Sequence, residues 1–149
     1  ITEKSMSDVL EVRRAMDALC TELACERISE QEIVVLGAAC DHFAEAAKTK
    51  DIRKCAQADV DFHDIIVRAT GNKRLVQLIN NLSEQMYRYR FEYLKDVSRY
   101  DNLIEEHRVI YESIRKRDKD AARSAAELHI DNQAKAIIRQ IRLDKESKK

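Results

Sequence analysis

A chain of 149 residues that contains no proline and only two glycines, Gly37 and Gly71, has few ways to reverse direction. Sandwiches and barrels turn often and draw on both residue types to do so. With 44% hydrophobic and 36% charged residues, the sequence is expected to fold as a soluble, all-α, antiparallel helical bundle of about six helices. The length is enough for one domain with its own core. No second domain and no internal repeat is visible.

Start signals divide the chain. Helix one is expected from about Ser7 to Arg27, with Val9, Val12, Met16, Leu19, Cys20 and Leu23 on its apolar stripe. Ser29-Glu30-Gln31-Glu32 is a capping box that opens helix two, to about Ala47. Asp51 caps helix three, which stops at Gly71. Asn72 caps a long helix four, through about Val97, striped with Leu75, Leu78, Leu82, Met86, Tyr89 and Tyr93. Asp101 opens helix five, to near Lys116, and Asp118 opens helix six, to about Leu143. Connections this short favour antiparallel neighbours.

Composition excludes several functions. No apolar run reaches the ~20 residues of a membrane span, and no signal-peptide pattern opens the chain. The 27 basic and 27 acidic side chains cancel, whereas a domain that grips phosphate backbones is clearly basic. Direct nucleic-acid binding by this segment is therefore not expected. Cys20, Cys25, Cys40 and Cys55 form no Cys-x2-Cys motif and fit buried free thiols in a reducing cytoplasm. Lys145 to Lys149 reads as a polar, frayed tail. Neither Gly-x-Ser-x-Gly elbows nor phosphate-cradling glycine loops occur, so no catalytic residue is assigned. A metal-dependent hydrolase in a helical bundle remains the alternative function, and a purely structural metal site a third.

The chemistry concentrates in three of the four histidines. Asp59 and His63 stand four residues apart, on one face of helix three with Ile52, Cys55, Phe62, Ile66 and Ala69. His107 shares a stripe with Leu103, Ile110, Tyr111 and Ile114, and His129 one with Ala122, Ala125, Asn132 and Ala136. One histidine on an apolar face is usually a satisfied core residue. A carboxylate and three imidazoles aimed at a common interior must pair or bind a metal, because unpaired polar burial is costly. Asp59, His63, His107 and His129 are thus candidate ligands of a divalent metal, zinc first and nickel second. Di-iron bundles need Glu-x-x-His motifs, and Val60, Ile104 and Ala126 occupy the glutamate positions here. His42, beside Asp41, is expected at the surface.

Arg13 interrupts the apolar stripe of helix one. It is either snorkelling to solvent or a fork for a carboxylate beside the metal. Arg90, near Tyr89 and Tyr93, is a second such candidate. Tyr89 and Asn132 complete the expected effector-binding set.

Taken together, Leu10-Glu11-Val12-Arg13, Asp59-x2-Phe62-His63, Ala69-Thr70-Gly71-Asn72, Glu106-His107-Arg108 and Leu128-His129 resemble the FCD ligand-binding domain of FadR-type regulators in the GntR family. The resemblance spans nearly the whole chain. It implies an effector-binding and dimerisation domain over residues 1–149, a bound divalent metal, a small organic acid as effector and a homodimer in the cytoplasm. It carries the metal ligands onto Asp59, His63, His107 and His129, and an effector contact onto Arg13. DNA would be bound only through a winged helix-turn-helix domain absent from this sequence, which starts at Ile1 as an excerpt of a longer protein is expected to. One departure is local: Arg117-Asp118 stands where the family commonly has Gly-Asp, so that turn must be made without glycine.

Overall fold

The structure is a computed structural model that describes residues 2–148. Seven α-helices follow one another: α1 Glu3–Arg27, α2 Glu30–Thr49, α3 Ile52–Ala69, α4 Lys73–Asn81, α5 Ser83–Leu94, α6 Tyr100–Arg115 and α7 Lys119–Ser147. A single 3-10 turn, Val97–Arg99, leads into α6, and no strand occurs among the described residues.

Local chemistry sets these boundaries. Ser29 accepts from the Glu32 amide while the Glu32 side chain accepts from the Ser29 amide, a complete capping box. Asp51, Asn72 and Asp118 cap α3, α4 and α7 with their side-chain oxygens. Gly71 ends the α3 region at φ +60, a left-handed conformation that suits glycine. At the α6–α7 turn the same conformation falls to Arg117, at φ 56. Its guanidinium donates to the carbonyls of Cys25 (3.0 Å) and Ile28 (2.8 Å), so the strained residue also closes the C-terminal end of α1.

Two expectations need correction. Helix four is not continuous: Leu82 leaves helical geometry (φ −99, ψ 2) and separates α4 from α5. The apolar repeat from Leu75 to Tyr93 runs through this point in the sequence, so periodicity alone could not reveal the bend. Within that repeat, Leu78 is exposed. The second correction concerns the face of α1. Val12 and Leu19 are exposed, while Met6, Leu10, Arg13, Cys20, Thr21 and Ala24 are buried. The inward face contains charged and polar positions, which an apolar stripe search discards.

α1 lies along α7, α2 pairs with α3, and α6 packs on both α2 and α7. Gly37 of α2 permits one close approach: a Cβ there would meet the Tyr111 hydroxyl of α6 at 2.9 Å. The core has two apolar halves. One holds Met6, Leu10, Phe43, Tyr93, Leu103 and Ile137. The other holds Cys20, Leu36, Phe62, Ile66, Ile110 and Ala122. Between them, at one level on each helix, lie buried Arg13, Asp59, Arg90, His107 and His129 and half-buried His63. The apolar halves flank this layer, so its buried polar groups must satisfy one another or take a ligand.

Candidate metal centre

Helical spacing builds the centre. Asp59 and His63 stand one turn apart on α3, His107 sits mid-way along α6, and His129 comes from α7. One potential ligand atom from each residue lies within 4.8 Å of all the others. Asp59 Oδ1, His63 Nε2, His107 Nε2 and His129 Nε2 are all buried, and none makes a hydrogen bond. Oδ1 does lie 2.8 Å from His107 Nε2 and 3.3 Å from His63 Nε2, but without hydrogen-bond geometry. An unsatisfied buried polar atom costs roughly 1–3 kcal/mol. Four such atoms converging on one point fit a divalent cation, and their donor set of one carboxylate and three imidazoles suits it.

Surrounding groups fix these side chains. The His107 ring stacks on Phe62 with centroids 4.3 Å apart and meets the edge of Phe43 at 4.7 Å. The His63 and His129 rings stack at 5.3 Å. His129 Nδ1 lies 2.6 Å from Glu106 Oε1, and the other oxygen of Glu106 accepts from Asn132 Nδ2 at 3.2 Å. A carboxylate on Nδ1 holds the tautomer that turns the Nε2 lone pair toward the centre. The second oxygen of Asp59 is held by Arg90 Nε.

Protonation states fit the same role. Burial alone would push the Asp59 carboxyl up. The imidazoles and the Arg90 guanidinium outweigh it and hold Asp59 well below the usual carboxylate range. Burial pushes His63 down to about 4 and also lowers His107. At neutral pH those two rings therefore keep free lone pairs beside an ionised carboxylate, as metal ligation requires.

A cavity of about 160 Å³ adjoins His63, and both Arg13 and Arg90 line it. Arg13 does not snorkel: it is 1% exposed, its Nε lies 3.3 Å from Asp17 Oδ2, and its Nη2 has no partner. The other expected effector contacts lie elsewhere. Tyr89 is buried in the apolar half with Tyr93 and Leu94 and does not line this cavity. Asn132 is committed to Glu106, where it supports His129. His42 is exposed and outside the cluster. Sequence reasoning missed the roles of Glu106 and Asp17. Glu106 is adjacent to His107 but serves His129, 23 residues further on, and only the packing of α6 against α7 creates that pairing.

The sequence matches the FCD domain family over residues 8–132. The chain belongs to the FCD domain family. The fold of this FCD domain matches the metal-free FCD domain of TM0439 at a TM-score of 0.79 and 22% identity, covering 96% of this chain and 98% of that one. Among curated proteins it is 26% identical over 123 residues to the galactonate operon transcriptional repressor of Escherichia coli K12, covering 81% of this chain and 52% of the relative. It is 22% identical over 134 residues to the HTH-type transcriptional regulator YdhC of Bacillus subtilis 168, covering 89% and 59%. The chain thus spans about half the length of the curated relatives it matches, and these are transcriptional regulators rather than enzymes. No helix among the described residues is long and apolar enough to cross a membrane.

Proposed function

We propose that this FCD domain is the effector-sensing and dimerising part of a bacterial GntR-type transcriptional regulator. A divalent metal, zinc first and nickel second, is held by Asp59, His63, His107 and His129. A small organic acid enters the cavity beside it. The observation that carries this reading is the convergence of four partnerless ligand atoms next to a cavity lined by Arg13, whose buried Nη2 also lacks a partner.

Each residue has a task. Arg90 neutralises one oxygen of Asp59 and leaves the other for the metal. Glu106 orients His129, and Phe43 and Phe62 fix His107. Asp17 holds the Nε edge of Arg13, which leaves Nη2 free for an incoming carboxylate. The cation supplies a Lewis-acid anchor for a carboxylate oxygen. An acid that contacts α1 through Arg13 and α3 through the metal favours the bundle arrangement in which both contacts are made. It thereby biases the spacing of two winged helix-turn-helix domains attached to a homodimer. DNA is contacted by those domains, with no membrane involved.

Metal analysis and calorimetry test the reading. His63→Ala, His107→Ala and His129→Ala should each lose most bound metal, and His42→Ala should not. Full occupancy in two of the three would sink the ligand assignment. A carboxylate should bind the metal-loaded protein and not the chelated one. Equal binding to both would make the metal purely structural. Sedimentation that shows only monomer at tens of micromolar would refute the homodimer.

A further inference from the structure

The cavity beside the metal centre has an interior and a mouth with different chemistry. Of its lining residues, Val67 and Met86 are buried, and Val60 and Ile79 are partly buried. The uncharged polar ones, Asn80 and Ser83 at the bend between α4 and α5 and Tyr87 one turn into α5, are exposed at the mouth. Asp64 is only half-buried, and its Oδ2 is taken by Arg68 Nε at 2.7 Å. Beyond the metal layer itself, the inner wall is therefore aliphatic.

Positive charge in the interior is limited as well. Arg90 is committed to Asp59, and Arg13 already faces Asp17, which also lines the cavity. One buried nitrogen, Arg13 Nη2, is left without a partner. An anion of single charge can be matched there and at the metal. A second carboxylate would lie against valine and methionine or near Asp17, with no counter-charge, and burying an unpaired charge is strongly unfavourable. A chain of hydroxyl groups meets the same wall and would give up its bonds to water without replacement. The volume of about 160 Å³ is close to that of the roughly 150 Å³ aliphatic cavities that accept a benzene ring.

We propose that the effector pocket selects a monocarboxylate with a compact apolar body of about six carbons, its carboxylate at Arg13 and the metal and its body against Val60, Val67, Ile79 and Met86, and that it disfavours polyhydroxy and polycarboxylic acids. This rests on the metal-and-carboxylate reading above. It separates this chain from the relative named for galactonate, a polyhydroxy acid.

The test is calorimetric titration of the zinc-loaded protein with benzoate, hexanoate, acetate, galactonate and citrate. Benzoate or hexanoate should bind roughly tenfold or more tighter than acetate, because each buried methylene adds affinity, and tighter than galactonate and citrate. Met86→Gln, nearly the same shape, should shrink the benzoate-to-acetate ratio by about threefold or more. Val67→Thr gives the same comparison from α3 if the first variant does not fold. Galactonate or citrate binding as tightly as benzoate overturns the selectivity and leaves the carboxylate sensor standing. A benzoate-to-acetate ratio that neither variant alters also overturns it, because the wall then does not touch the ligand. Failure of every acid to bind the zinc-loaded protein overturns the sensor reading and this inference with it.

Discussion

Replacing Arg90 by methionine removes the cation that faces Asp59 while keeping an apolar stem of similar length. Both side chains are almost fully buried, at 6% and 1% exposure. Removing one partner of a buried pair leaves an uncompensated charge, at about 3–5 kcal/mol. The imidazoles near Asp59 offset only part of this, since His63 and His107 are pushed toward their neutral forms and neither is hydrogen-bonded to Oδ1. In a domain of this size that loss lowers Tm by roughly 6–20 °C. With metal bound, a second cation faces the same carboxylate, and the remaining loss is about that of one charge-assisted hydrogen bond, roughly 1.5–3 kcal/mol. The difference, about 1–2 kcal/mol, must reappear as tighter metal binding by the variant, about tenfold for each 1.4 kcal/mol, because linkage is reciprocal. Asp59 is depressed below its ordinary value. Its contribution is thus fully present above the unfolded carboxylate range and is lost as pH falls through the folded one. Without Arg90 the burial of Asp59 is less opposed and its carboxyl rises, so the variant takes up a proton there before the parent does and the cost of Arg90→Met should shrink by pH 4. Urea unfolding with excess chelator and with saturating zinc, at pH 7 and again near pH 4, measures all of this. An identical loss with and without metal would refute the idea that a cation meets Asp59. A loss below about 1 kcal/mol in chelator would refute Asp59 as a buried charge.

Glu106→Gln should weaken metal binding about 10- to 100-fold through the orientation of His129, read by competition with a coloured chelator; unchanged affinity would mean the Glu106–His129 contact does not orient the ring. Arg117→Ala keeps the left-handed strain and loses the bonds to Cys25 and Ile28, whereas Arg117→Gly loses the bonds and relieves the strain. The alanine variant should be less stable than the parent, with glycine above alanine by about 1 kcal/mol in urea unfolding; alanine equal to glycine would show that the turn is unstrained. All four cysteines are free and buried. Burial pushes the Cys20 thiol up to about 12 and that of Cys25 to about 11, and raises Cys40 and Cys55. Native protein at pH 8 should therefore leave a disulfide reagent almost unconsumed, while denatured protein consumes four equivalents; rapid native reaction would contradict the packing around α1.

The sequence by itself determined the all-α class, because a chain with so few helix breakers and so many capping residues has local preferences that agree with one another. Capping at Ser29, Asp51, Asn72 and Asp118 depends on contacts within a few residues, and those four positions were legible. The Asp59, His63, His107 and His129 cluster was legible too, for a different reason. Asp59, His63, His107 and His129 are chemically incompatible with the apolar faces they occupy, so their burial demands a common partner wherever the helices lie. Arg117 was visible as a missing glycine, although only the fold shows its guanidinium capping α1. What tertiary structure decided depends on how helices pack. The bend at Leu82 preserves the apolar repeat, so nothing local announces it. The inward face of α1 was misjudged at Val12 and Leu19, which are exposed, because apolar character alone does not fix which of several neighbouring positions the packing of α1 on α7 buries. Glu106 supporting His129, Tyr89 withdrawing into the core and Asn132 turning to Glu106 are long-range outcomes. Periodicity assigns a side chain to a face of its own helix. Which residue on another helix it meets is set by the packing of one helix against the next.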